Sequence, residues 1–577
     1  MKNGNNRIVI LTLILSVVSL FLEQVDTTRT ALLIFTNALD FAVLFLLLAE
    51  VFLEYRDAPY KRLYLQRNVF SLAFAAAFVI LFIYNKYLLF RFRDTDYAGF
   101  SSIVLIIRNV FLLLKVFSRL KRLASIIEGI SVHPAQTILF SFLMVILVGA
   151  LVLMMPFTAA EGSGLGFLDA LFTSTSAVCV TGLIVVDTAT YFSFWGQMVI
   201  LVLIQIGGLG IMMYSYFTLF VLRRTMSIED KFLISYMISE EDMTGLSRSL
   251  TAILGITFLF EGLGALALFT EFFSGIELPR AVLLSVFHSV SAFCNAGFAL
   301  FSDSLESFQG SLTINLTISI LIIVGGISFG VILNLKNYFS DRFKKLLGGD
   351  KRAIRRVTLN SKIVLIGTAV LLLTGMFFFY ALEHKGVLQP MSLGRQYLAA
   401  FFQSVTLRTA GFNTISFASL STGVCLFMIV YMFIGAASGG TAGGIKINTV
   451  AVLGAYVRAV LRNKDDVLIS RYAIPGSRVL KAFLIFLFGI LVVIVGVFIL
   501  VLSEDAPLVD IMFETVSAFG TVGLSTGLTS SLTGVGRIVI ILLMFTGRLG
   551  PITILAAASQ KTRHVNISYP QADVTLG

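Results

Sequence analysis

Apolar runs of about 20 residues recur along the chain, among them 137-TILFSFLMVILVGALVLMM-155 and 481-KAFLIFLFGILVVIVGVFILVL-502. A helix needs that length to cross a hydrocarbon layer roughly 30 Å thick. The run 8-IVILTLILSVVSLFL-22 has no small-residue cleavage site behind it and reads as a retained helix, not a signal peptide. Shorter, semi-polar runs lie between the long ones. In one stretch a full span, 251-TAILGITFLFEGLGALALFTEFF-273, precedes 280-RAVLLSVFHSVSAF-293, then 294-CNAG-297, then a second span, 313-TINLTISILIIVGGISFGVIL-333. As a helix of about 1.5 Å per residue, the middle segment reaches only roughly 20 Å and stops inside the membrane.

The arrangement occurs four times. The phrases 175-TSAVCVTGL-183, 290-VSAFCNAGF-298, 404-SVTLRTAGFNT-414 and 516-VSAFGTVGL-524 share one shape, and Gly182, Gly297, Gly411 and Gly523 lie 115, 114 and 112 residues apart. So regular a period marks copies of one unit, here about 134–224, 245–340, 357–462 and 476–562. The chain after each half-crossing helix leaves as an irregular strand. Non-helical backbone at that depth is tolerated only where it faces protein, water or an ion.

Four such strands about one axis would present rings of carbonyl oxygens able to replace the hydration shell of a monovalent cation. The C-termini of the half-helices would add partial negative charge. Glycine supplies φ/ψ values closed to residues with side chains. The expected lining is Cys179, Val180, Thr181 and Gly182; Cys294, Asn295, Ala296 and Gly297; Arg408, Thr409, Ala410 and Gly411; and Gly520, Thr521, Val522 and Gly523. The expected fold is therefore an all-α polytopic membrane protein. It has four pseudo-repeated helix–pore-loop–helix units around one ion pore, with about four extra transmembrane helices in front.

Composition agrees with a membrane protein. The 577 residues are 57% hydrophobic and 13% charged, with a mean hydropathy of +0.94, whereas soluble domains carry about 25% charged residues. The net charge of +11 does not point to nucleic acid, because the basic residues cluster in alternate loops: 222-LRRTMSIEDK-231, 341-DRFKKLLGGDKRAIRR-356, 458-RAVLRNKDD-466 and 561-KTRH-564. The loops between them carry Glu161, Glu271, Glu277, Glu504 and Asp505 instead. By the positive-inside rule both termini are cytoplasmic and the half-helices enter from outside. Three cysteines and four scattered histidines (His133, His288, His384, His564) form no disulfide framework or metal spacing, and no phosphate-cradling loop is present. No enzymatic chemistry and no organic cofactor are expected of this chain.

The units, with 176-SAVCVTGLIVVDTATYF-192 and 205-QIGGLGIMM-213, resemble the Trk/Ktr/HKT superfamily of cation-translocating subunits, most closely its KtrB (NtpJ-like) branch, over about residues 134–577. The resemblance implies potassium uptake through one pore per chain, two chains per homodimer, and a cytoplasmic ring of nucleotide-binding regulatory (RCK/KtrA-like) subunits. It also implies a bacterial inner-membrane location. Glycine at all four filter positions goes with potassium selectivity in that family, and serine at the first with sodium preference. A sodium-coupled or sodium-conducting member is the alternative, since Asp187 and Asp303 near the outer mouth suit either ion.

Two features fit a gate. The segment 432-MFIGAASGGTAGGIKINT-449 interrupts an apolar stretch with five glycines, each costing a helix about 1 kcal/mol against alanine. The resemblance places an intramembrane gating loop here, with Gly439, Gly440, Gly443, Gly444 and Lys446. Lys446 would face the pore or bind a carbonyl or an acid. Arg548 lies inside the last span, where a charge needs a cavity or partner. It matches an arginine the family keeps near the loop, expected to repel cations and hold the loop; pairing with Glu514 is the other option. The Arg408 side chain is expected to point away from the pore and brace its strand by hydrogen bonds.

Residues 1–133 exceed the family core and read as four spans, roughly 7–22, 31–54, 68–90 and 100–122. Asp40, Glu50 and Arg56, with Arg108, Lys115, Arg119 and Arg122 on the fourth span, resemble a voltage-sensor-like domain. Phe111 and Leu112 break the every-third-residue series of cations, so a scaffold role is expected.

Overall fold

The protein is described by a computed structural model covering residues 134–210, 246–346 and 356–550, apart from 163 and 274, and a few isolated positions. The N-terminal four-span region, the basic loop at 222–231 and the C-terminal tail lie outside the described residues.

Fifteen α-helices account for nearly all the regular structure described. The chain opens with α1 (Pro134–Leu153), the short α2 (Phe167–Val178) and α3 (Phe194–Leu209). A second set follows: α4 (Leu246–Phe272), α5 (Leu278–Phe293), α6 (Leu312–Gly326) and α7 (Phe329–Leu346). Next come α8 (Leu359–Glu383), α9 (Leu393–Thr406), α10 (Thr422–Phe433) and α11 (Ile447–Leu461). A two-stranded antiparallel hairpin, β1 (Leu468–Ile469) with β2 (Tyr472–Ala473), leads to the last set. That set is α12 (Gly476–Ser503), α13 (Leu508–Gly520), the one-turn α14 (Leu528–Ser531) and α15 (Gly534–Leu549). Within α4 the stretch Thr251–Phe272, and the whole of α8 and α12, are long and apolar enough to cross a membrane.

Sequence-local signals start several of these helices. Ser193, Ser311 and Thr533 precede α3, α6 and α15, and each side-chain oxygen accepts the N–H three residues on at 3.2–3.3 Å. Such caps contribute about 1 kcal/mol apiece. The corresponding Ser421 before α10 differs: its hydroxyl donates to Glu383 Oε1 at 2.7 Å. The span read as continuous over 313–333 is in fact two helices. The chain breaks at Ile327–Ser328, and α7 leaves α6 at 98°.

The core is apolar, and so is much of the outer surface. Large apolar side chains on α4, α8 and α12 point outward, including Leu266, Leu373, Ile494 and Phe498, as suits lipid contact. The centre is occupied by the four short helices α2, α5, α9 and α13. Phe172, Phe287, Phe402 and Phe513, one on each, are fully buried. Helix association in lipid is driven by close packing, and one close approach recurs. A methyl on Gly207, Gly325 or Gly547 would lie 1.8–2.0 Å from the carbonyl oxygen of Val178, Phe293 or Phe519. The outgoing helix therefore crosses the end of its short helix only because the residue there is glycine.

Long-range polar contacts tie neighbouring sets together. Arg280 on α5 donates to Gln197 on α3 at 3.2 Å, and Asn413 donates to Glu306 at 2.7 Å. Arg537 at the start of α15 pairs with Asp169 in the first turn of α2, joining the last set to the first.

Candidate functional site

The four glycine phrases begin where α2, α5, α9 and α13 end, at Cys179, Cys294, Leu407 and Thr521. Three close on their helix five residues back: the N–H groups of Thr181, Ala296 and Val522 donate to the carbonyls of Ser176, Ser291 and Ser517 at 2.7–2.8 Å. The third phrase is one residue shorter and closes more tightly, from Ala410 N–H to Thr406 O at 3.0 Å.

Beyond these turns the backbone is left-handed twice. Val180, Asn295, Thr409 and Thr521 have φ of 56°, 59°, 69° and 51°. Two residues later Gly182, Gly297, Gly411 and Gly523 have φ of 96°, 72°, 79° and 87°. Regular β-strands keep φ negative throughout, so the backbone here is irregular. For Val180, Thr409 and Thr521, β-branched residues, this conformation costs about 1–2 kcal/mol each. The sequence places these four positions in the lining without revealing their hand, because nothing in a valine or threonine advertises a left-handed site.

The phrases meet in a closed ring. A methyl on Gly182 would lie 2.5 Å from Ala296 O, one on Gly297 2.8 Å from Ala410 O, one on Gly411 2.7 Å from Val522 O, and one on Gly523 1.9 Å from Thr181 O. Each glycine thus abuts the carbonyl just before the next glycine, and the fourth returns to the first. All four glycines floor one open cavity of about 450 Å³, whose wall carries Asp187, Asp303 and Glu306.

Asp187 accepts the Ser302 hydroxyl and Asp303 that of Ser307. Glu306 accepts Asn413 Nδ2, and was not singled out from sequence. Partial burial, then the neighbouring Asp303, push the Glu306 carboxyl above the usual glutamate range, and the Asn413 hydrogen bond opposes them.

The interruption between α10 and α11 folds into a compact loop whose two ends pair, Gly435 N–H donating to Ile445 O at 2.8 Å. Gly439, Gly440, Gly443 and Gly444 all lie in it. A methyl on Gly443 would lie 2.2 Å from Thr521 Oγ1, so the loop presses on the fourth phrase. It is also tied to the second and third: Thr441 Oγ1 donates to Asn295 Oδ1 at 3.0 Å, and Asn295 Nδ2 donates to Arg408 O at 3.5 Å. Lys446 caps the loop from within, Nζ donating to Ala442 O at 2.5 Å.

Two expectations need correction. Arg548 neither pairs with Glu514 nor bonds the loop: its Nη2 donates to the carbonyl of Gly207, and to that of Gly208 at 3.3 Å, at the C-terminus of α3. The glycines of 205-QIGGLG-210 expose those carbonyls. Arg548 still lies within electrostatic reach of Cys179, Cys294 and Lys446. Arg408 is only 4% exposed, and its Nε and Nη2 have no hydrogen-bond partner among the described residues. Its strand is held through its backbone carbonyl by Asn295, not by the guanidinium. Among the described residues no group of three or more His, Cys, Asp or Glu side chains is placed to hold a resident metal.

A family model described as TrkH, cation transport protein, matches residues 105–567. That match starts inside the stretch 100–122 expected from sequence as a fourth span, earlier than the boundary near 134 drawn from the repeats. The Ktr system potassium uptake protein B of Bacillus subtilis is 37% identical over 455 residues, covering 78% of this chain and 98% of the relative. The potassium/sodium uptake protein NtpJ of Enterococcus hirae is 35% identical, over 77% of this chain and 97% of its own. The crystal structure of the potassium transporter TrkH from Vibrio parahaemolyticus superposes with a TM-score of 0.60 at 18% identity. It covers 85% of this chain and 97% of that one, a likeness of fold.

Proposed function

The chain belongs to the TrkH family of cation transport proteins, and from that premise we propose that it takes up potassium across the cytoplasmic membrane through one pore formed by four pseudo-repeats. The observation that carries this reading is the closed ring of glycine-to-carbonyl contacts at the floor of the open cavity. Carbonyls turned inward from four strands replace the water shell of a cation entering from that cavity, and the C-terminal ends of α2, α5, α9 and α13 add partial negative charge on the same axis. The Oγ1 atoms of Thr181, Thr409 and Thr521, buried without a partner among the described residues, suit a cation or its water at the helix end of the ring.

Gating falls to the loop at 434–446. It bears on Thr521 and Asn295, so its displacement alters the strands directly. Arg548, anchored on α3, keeps positive charge near the loop and slows cations there. A homodimer, cytoplasmic nucleotide-binding regulatory subunits and cytoplasmic termini belong to the same proposal and rest on resemblance and loop charge. The name of the Enterococcus hirae relative gives a second reading, in which sodium also passes.

Radiolabelled rubidium and sodium uptake into proteoliposomes, wild type beside Gly182→Ser, tests both. Rubidium flux that yields to sodium in the variant supports a four-strand potassium filter. Equal sodium flux in the wild type favours the second reading. No flux of either ion, with a regulatory subunit supplied, would sink both.

A further inference from the structure

Three of the four short helices carry a long polar side chain at one place in the unit. It lies nine residues before the ring glycine in the second and fourth units, as His288 and Glu514, and eight before it in the shorter third unit, as Gln403. All three are fully buried. Each reaches the residue three positions beyond its own glycine. Leu300 N–H donates to His288 Nε2 at 3.3 Å, Gln403 Nε2 donates to Thr414 Oγ1 at 3.4 Å, and Thr526 N–H donates to Glu514 Oε1 at 3.1 Å. His288 Nδ1 bonds Leu284 O at 2.8 Å, which leaves Nε2 as the acceptor for Leu300. Glu514 additionally accepts the hydroxyls of Ser525 and, at 2.7 Å, Thr529. The first unit has Thr173 here, too short to reach across, and its Oγ1 has no partner among the described residues.

Packing alone would place an apolar residue at such a site, as the preceding position does with Phe287, Phe402 and Phe513. A buried polar group is costly unless bonded, so its recurrence with one partner position marks a task. Each strand is already fixed at its helix end by the closing turn. The left-handed residues between the two ends hold their conformation only if the surroundings over-determine it, and these side chains tie down the far end.

We propose that His288, Gln403 and Glu514 are positioning residues, struts that hold the outer ends of three filter strands at the spacing potassium requires. The proposal rests on the filter reading above. The full-length chain in proteoliposomes tests it, through KM for rubidium and the inhibition constant for sodium measured side by side. Glu514→Ala, Gln403→Leu and His288→Leu should each shift the rubidium-to-sodium ratio toward sodium by fivefold or more, with a smaller change in maximal rate. Glu514→Gln, which keeps an acceptor for Thr526 N–H, should recover at least half of that shift. Thr529→Val should shift the ratio in the same direction. Combined with Glu514→Ala it should add nothing, because the contact from Thr529 to Glu514 is then already lost.

Thr173→Val, in the unit without a strut, should stay within twofold of wild type. Ratios within twofold of wild type for the strut variants would overturn the proposal, as would additive effects of Thr529→Val and Glu514→Ala, or an equal shift in Thr173→Val. Should Glu514→Ala fail to assemble, unchanged ratios in Gln403→Leu and Thr529→Val overturn it alone. A wild type that does not prefer rubidium removes the filter reading itself. A selective wild type with unchanged variants removes only the struts.

Discussion

Replacing Gly523 with alanine puts the ring itself to the test. The new methyl would stand 1.9 Å from Thr181 O and 3.0 Å from Gly182 Cα, both backbone atoms that cannot swing aside. The residue must also keep a φ of 87° or abandon it. The left-handed conformation costs about 1–2 kcal/mol for an alanine, and overpacking a tight site costs about 1–3 kcal/mol more. Together that is about 2–5 kcal/mol. If the lower figure falls on the ion-occupied ring, it corresponds to about thirtyfold in rate or affinity, at 1.4 kcal/mol per factor of ten.

The control is Gly162→Ala. Gly162 also has a positive φ, of 73°, but a methyl there meets nothing within 4 Å, so it bears only the backbone term. Rubidium uptake by the two variants, with melting followed by size-exclusion chromatography, separates the effects. Gly162→Ala should lose a little thermal stability and transport normally. Gly523→Ala should lose at least thirtyfold in rubidium uptake while remaining monodisperse. Uptake within threefold of wild type, with the rubidium preference intact, would mean that Gly523 and Thr181 do not form a constriction on the ion's path.

Three further outcomes are expected. Arg548→Ala removes a fixed positive charge and the grip on Gly207 and Gly208, so basal rubidium flux should rise roughly tenfold, in line with about 1–4 kcal/mol for a charge pair at close range in water or near a protein surface; lower flux would contradict the electrostatic role. Thr441→Val deletes the hydrogen bond to Asn295, worth about 1 kcal/mol, and should alter gating; its effect should be non-additive with Asn295→Ala in flux measurements.

The last concerns external pH. Glu306 takes up its proton at a higher pH than an ordinary glutamate. Its contribution to stability is therefore fully present at acidic pH and is lost as pH rises through the raised value. Charge in the cavity goes the other way: acidification neutralises Glu306 and should reduce uptake at subsaturating rubidium. The midpoint should move up when Asn413 loses its amide and down in Asp303→Asn; an Glu306→Gln variant with an unaltered pH profile would refute the assignment.

Much of this molecule is written locally. Twenty-residue apolar runs, half-length runs between them, and glycine phrases at a near-constant period follow from composition and spacing, because lipid forces every backbone group to find a partner within its own segment. The glycine-rich break before Lys446 is equally local. Contacts between distant segments are not. The bond from Arg548 to Gly207 spans 341 residues, and the carbonyl it needs is free only because α3 ends there. Arg408 reads from sequence as a brace, yet Asn295, 113 residues away, holds that strand by its carbonyl. The left-handed Val180, Thr409 and Thr521 follow no local preference. The order in which the four strands meet, and the reach of His288, Gln403 and Glu514 to their exits, were likewise decided by tertiary packing. A strained backbone or a buried polar group persists only where remote neighbours surround it, and a linear pattern does not record who those neighbours are.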